Sequence, residues 1–94
     1  MTIKVVVPAS LQRFTDGKDE LIFDPENVVE LIELIDTKYP EFKEKLCTQN
    51  NQINNYFNLY VDGEDIRFLD NLNTSLVDKK ELIIVAAVAG GFAI

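Results

Sequence analysis

Gly90 and Gly91 are the residues whose type and placement best suit chemistry. They follow the apolar run Val85-Ala86-Ala87-Val88-Ala89 and precede Phe92-Ala93-Ile94, the last three of 94 residues. A glycine pair behind a strand-like run suits a carrier whose own C-terminal carboxylate is the reacting group. Glycine lets the backbone approach a narrow site closely and adopt dihedrals that a Cβ would forbid. In this sequence the Gly91 carboxyl is held in a peptide bond to Phe92. The three following residues would therefore cap the reactive group until something removes them.

The remaining chemistry-bearing residues are few. The sequence has no histidine and a single cysteine, Cys47, so the commonest general base is missing and a zinc site of the usual kind cannot be built. A stand-alone enzyme is the last reading to adopt, for want of a catalytic constellation. Cys47 reads either as a small hydrophobe beside Leu46 or as a sulfur-relay thiol. Asp62-Gly63-Glu64-Asp65 is acidic but lacks the length and spacing of a calcium loop, and reads as a hairpin-type turn. Arg67 can pair with neighbouring carboxylates or with a partner; the residues leave both open.

Composition narrows the partners. The length suits one domain, and a 47% hydrophobic fraction excludes a disordered chain. A formal net charge of −7 argues against nucleic acid and against an anionic membrane surface. One cysteine allows no intramolecular disulfide, and Met1-Thr2-Ile3-Lys4-Val5-Val6-Val7-Pro8 is too short and strand-like for a signal peptide. No apolar run approaches a membrane span. A cytoplasmic protein is the expectation.

The elements that must position the tail follow from periodicity. Ile3 to Val7 is β-branched and roughly alternating, and Pro8 ends it. A wide loop with a turn at Thr15-Asp16-Gly17-Lys18 leads to a second strand, Glu20-Leu21-Ile22-Phe23. Asp24-Pro25-Glu26 reads as a helix start, with Asp24 as cap, Pro25 in the first turn and a hydrophobic staple between Phe23 and Val28. Val28, Leu31, Ile32 and Ile35 then follow helical spacing, with Leu34 widening the stripe. Tyr39-Pro40 ends that helix, and Phe42 and Leu46 suit a short second helical turn. After the polar Cys47–Asn55 loop come a strand over Tyr56–Val61, a short strand Ile66-Arg67-Phe68, an irregular stretch with Leu72 and Leu76 tucked inward, and a last strand over Leu82–Val88.

No charged residue occurs from Leu82 onward. Such a strand at a sheet edge would invite aggregation, so it belongs in the middle. One helix covers one face of a sheet, and alternate residues of this apolar strand must then face outward. Ile3, Val5, Val7, Phe57, Leu59, Val61, Leu82 and Ile84 are assigned to the helix side, and Val6, Tyr60, Ile83 and Val85 to the outside. An exposed apolar patch beside a reactive tail suits partner docking, with Ala89 at the root of the tail. A homodimer contact, or a covering loop, is the plainer alternative.

The element order, the segment Phe57-Asn58-Leu59-Tyr60-Val61-Asp62-Gly63-Glu64-Asp65-Ile66-Arg67-Phe68 and the ending Ala87-Val88-Ala89-Gly90-Gly91 together resemble the MoaD/ThiS family of ubiquitin-like sulfur carriers. The likeness spans essentially the whole chain and is closest to the branch serving cysteine synthesis. It implies an α+β fold, the β-grasp: a mixed sheet of four to five strands with one main helix packed on one face, over residues 1–88. Residues 89–94 would form a flexible tail. It also implies no bound cofactor. A ubiquitin-activating-type adenylyltransferase would use ATP to adenylate the Gly91 carboxylate, with Gly90 beside it. Sulfur delivery would give a thiocarboxylate for a sulfur-accepting biosynthetic enzyme. Because Phe92 follows Gly91, a deubiquitinase-type metalloprotease would first have to cut between them. Two other classes remain: a protein modifier joined through Gly91 to lysines, and a plain interaction module.

Overall fold

The computed structural model describes residues 2–87. Strand β1 (Ile3–Val6) is followed by a single helical turn, α1 (Ala9–Gln12), and strand β2 (Glu20–Phe23). Helices α2 (Val28–Lys38) and α3 (Pro40–Leu46) come next. The chain then forms β3 (Phe57–Val61), β4 (Glu64–Asp65), two 3-10 turns (Ile66–Phe68 and Asn71–Asn73) and β5 (Glu81–Ala86). The five strands lie in the order β2-β1-β5-β3-β4. β5 is parallel to β1 and antiparallel to β3, so the apolar strand does occupy the centre, with backbone partners on both sides.

The alternation of β1, β3 and β5 sorts as expected. Ile3, Val5, Val7, Leu59, Val61, Leu82 and Ile84 are buried in one cluster with Val28, Leu31, Ile32 and Ile35 of α2. Phe57 is only half-buried, against the rim of that cluster. Phe42 and Leu46 are fully buried, and the expected short turn carrying them is the seven-residue α3. Leu76 is buried and Leu72 packs half-buried against the core.

Four local expectations are corrected and a fifth is refined. Helix α2 begins at Val28, not at Asp24-Pro25. Its cap is Asn27, whose Oδ1 accepts the Glu30 N–H at 2.8 Å, while Glu30 Oε1 accepts the Glu26 N–H at 2.7 Å. The preceding segment is not helical because its backbone is engaged across to residues 74–76: Asn27 is extended and bridges Ser75, Leu76 N–H donates to Glu26 O, and Val28 N–H donates to Thr74 O. The Phe23–Val28 staple accordingly loses its positions, since Val28 is itself the first helical residue. Leu34 does not widen the buried stripe; it is exposed. Ile66-Arg67-Phe68 is a 3-10 turn rather than a strand, because Asp65 Oδ1 accepts the Arg67 N–H at 2.9 Å and folds the chain back. The short strand is Glu64–Asp65 instead. Finally, the wide loop after Pro8 contains α1, which buries Leu11 and is tied to β1 by Gln12 Nε2 donating to Val7 O.

Candidate functional site

β5 carries the chain toward Gly90 and Gly91, so its end defines the site. The last described bond of this ladder is Ala87 N–H to Tyr56 O, at 2.6 Å. Gly90, Gly91, Phe92 and Ala89 lie outside the described residues, as does the expected boundary between residues 88 and 89.

The register of the β3–β4 hairpin is set by its turn. Asp62 and Gly63 both have positive φ (47° and 91°), as a two-residue primed turn requires. The Asp62 carboxylate accepts the N–H groups of Glu81 at 3.0 Å and Lys80 at 3.1 Å, and Asp62 N–H donates to Glu81 O. This acidic turn therefore anchors the start of β5, which fits the hairpin reading of its carboxylates.

With that register, Val6 pairs with Ile83, and Ile83 pairs with Tyr60, so three of the expected docking residues form one row across β1, β5 and β3. All three are half-buried on the side away from the helices. Val85 lies two residues on along β5, opposite Asn58, and is 39% exposed. Polarity is graded along this outward face. Near the start of β5, Lys4 Nζ bridges Glu81 at 3.3 Å and Glu20 at 3.7 Å. The hydrogen bond to Glu81, then the charge of Glu20, raises the Lys4 pKa. Toward the end of β5 the outward residues are Ile83 and Val85, so the apolar character increases toward the tail.

The row ends on β4, where Asp65 pairs with Tyr60. Asp65 is 7% exposed. Its carboxylate accepts from Arg67 Nη2 at 2.7 Å and from Arg67 Nε at 3.1 Å. These bonds hold the Asp65 carboxyl below its ordinary pKa. Arg67 thus has a carboxylate partner within its own chain, a contact that adjacency in sequence suggested without deciding. Cys47 is buried at the end of α3, and burial pushes its thiol pKa up. A thiol so placed behaves as a small hydrophobe rather than as a relay nucleophile. No helix among the described residues is long and apolar enough to cross a membrane.

Sequence comparison places this geometry in a family. The ThiS family pattern matches residues 5–91, from β1 through both glycines of the pair. This chain belongs to the ThiS family. It is 28% identical over 93 residues to the sulfur carrier protein CysO of Mycobacterium tuberculosis, a match covering 97% of this chain and all of that protein. In structure it is similar to a chain of the Amycolatopsis orientalis BexX/CysO complex, with a TM-score of 0.85, 29% identity, and coverage of 95% of this chain and 99% of that one. It also resembles the small archaeal modifier protein 1 (SAMP1) of Methanosarcina acetivorans, with a TM-score of 0.80, 28% identity and 96% of each chain covered. The ubiquitin-like β-grasp fold expected from the sequence is the fold observed, with five strands in its mixed sheet.

Proposed function

We propose that this chain is a sulfur carrier that acts through the carboxyl group of Gly91. The observation that carries the reading is the whole-length similarity to named sulfur carriers, with the family match running through the glycine pair. A deubiquitinase-type metalloprotease adds water across the Gly91–Phe92 bond and frees the Gly91 carboxylate. A ubiquitin-activating-type adenylyltransferase, using ATP, lets that carboxylate attack the α-phosphorus, and pyrophosphate leaves. A sulfur nucleophile then displaces AMP, giving a thiocarboxylate that passes its sulfur to a biosynthetic enzyme. Cysteine or homocysteine, thiamine and molybdopterin synthesis all accept such a donor. The carrier supplies no catalytic group and needs no bound cofactor.

The outward row of Val6, Ile83 and Tyr60, with Val85, and Ala89 at the tail root, serves as the docking surface for the activating enzyme. Six residues lead from Val85 to Gly91, a reach of at most ~20–22 Å when fully extended. The body of the carrier must therefore seat close to the active site, and an apolar patch nearest the tail meets that need.

Intact mass of the protein from its native cells, under conditions that preserve thiocarboxylates, tests the reading. A species ending at Gly91 with one oxygen replaced by sulfur is expected. Protein that keeps Phe92 under sulfur-limited growth would overturn it. A second reading, conjugation through Gly91 to lysines of target proteins, is favoured by the likeness to the archaeal modifier. Branched peptides carrying the Gly90-Gly91 remnant on lysine would establish that role.

A further inference from the structure

Beyond the Asp65 end of the outward row, a groove of about 270 Å³ lies along the outer edge of β3. It exists because β4 is short: β4 pairs only with Tyr60 and Val61, and among the described residues no strand flanks the edge from Phe57 to Leu59, where the Phe57 N–H turns back to Asn54 O. Its apolar lining includes Ile53, Phe57 and Leu72, each half-buried at the rim of the core. Asn55, Asn58 and Asn71 also line it, and carboxamide side chains hydrogen-bond readily to a peptide main chain.

The charge in this groove is one-sided in what it presents. Asp65 and Arg67 both line it. The Asp65 carboxylate is buried and accepts three N–H groups, all from Arg67. The Arg67 side chain is 62% exposed. Its Nη1 hydrogens and one Nη2 hydrogen are not engaged by Asp65, because a guanidinium carries five donors. Asp65 therefore acts as a positioning residue that holds a guanidinium in place, and the groove offers a pre-set cation and no free anion.

We infer that this groove is a second binding site, which takes an extended peptide segment of a partner protein by strand addition along β3. The segment carries an acidic side chain that meets Arg67 and β-branched side chains that meet Phe57 and Leu72. Charge complementarity selects this occupant: a preorganised guanidinium recognises carboxylate geometry, and an open strand edge recognises extended backbone. The inference does not depend on the sulfur-carrier reading.

The test is selection of displayed random nine-residue peptides on the full chain, followed by ¹⁵N NMR titration of the selected peptides. The expected sequences hold Asp or Glu among β-branched residues. Their amide shifts centre on Phe57, Leu59, Arg67 and Asn71. Arg67→Gln lowers the thermal midpoint by freeing the buried Asp65 carboxylate but stays folded at the titration temperature, where it weakens binding at least tenfold, and Arg67→Lys recovers only part of it. Peptides without acidic enrichment, peptides that bind Arg67→Gln equally well, or shifts centred on Val6 and Ile83 would each overturn the inference. If Arg67→Gln unfolds, replacing the peptide's own Asp by Asn must produce the same tenfold loss on the unaltered chain.

Discussion

The two faces of the sheet are built from nearly the same kinds of residue and face opposite ways. On β5, Leu82 and Ile84 are buried under the helices, whereas Ile83 and Val85 alternate with them and remain partly open to solvent. On β1, Val5 is buried and Val6 is half-buried. Hydrophobicity along a strand therefore does not distinguish what holds the fold from what meets a partner. The difference is whether a second layer covers the residue. The inner face lowers the free energy of the folded chain, and the outer face leaves apolar area partly open to solvent, which is what the proposed docking would use.

Four experiments sharpen or break that contrast, beginning with the largest effect. Leu82→Ala empties a fully buried position in the central strand and should cost ~3 kcal/mol, within the usual range for buried leucine. Urea unfolding measures it. A cost below ~1 kcal/mol would mean that the inner face is not the stabilising one.

Val85→Asp on the outer face should change stability by less than ~1 kcal/mol, as surface substitutions usually do. It should weaken association with the activating enzyme at least ~10-fold, or ~1.4 kcal/mol, by burying an unpaired charge in the contact. Adenylation rates that match those of the unaltered protein would remove docking from this face.

Asp62→Ala probes the register that assigns residues to faces. Losing the bonds from Lys80 and Glu81 N–H should cost ~1 kcal/mol in chemical denaturation. Equal stability would show that the turn sets register through backbone conformation alone.

Acid titration separates the clamp on β4 from the apolar contacts. The folded Asp65 carboxyl sits below its ordinary pKa because of Arg67. Its contribution to stability is present above the unfolded value of about 3.9 and disappears as pH falls through the lower folded value. Asp65→Asn should therefore show a shallower loss of stability in that acid window than the unaltered chain. Parallel curves would mean that the clamp positions Arg67 without stabilising the fold.

Much of this division was legible from residue order. Rough alternation in Ile3–Val7 and helical spacing in Val28–Ile35 located the core because burial of one face imposes period 2 on strands and 3.6 on helices, whereas the uniformly apolar Leu82–Val85 was sorted only by counting from that pattern. The helix start was misplaced for a physical reason. Asp24-Pro25-Glu26 has good capping chemistry, but backbone bonds from Glu26 and Val28 to residues 74–76 keep the helix from starting before Val28. Asn27 and Glu30, three apart, carried the true signal. Ile66-Arg67-Phe68 alternates like a strand, yet the neighbouring Asp65 turns it into a 3-10 turn and leaves Phe68 83% exposed. α1 was hidden because one helical turn is too short for periodicity to register.

The sequence by itself determined the family, the central place of the apolar last strand and the glycine pair on which the proposed chemistry rests. Each depends on residue types read in order along the chain. Only the tertiary structure decided which outward residues form one row, how deeply the local Asp65–Arg67 pair is set, and where the groove beside β3 lies. Those features arise from contacts between distant segments, such as Asp62 with Lys80 and Val6 with Ile83. No local pattern encodes them, because each side chain's surroundings are supplied by residues far away in the chain.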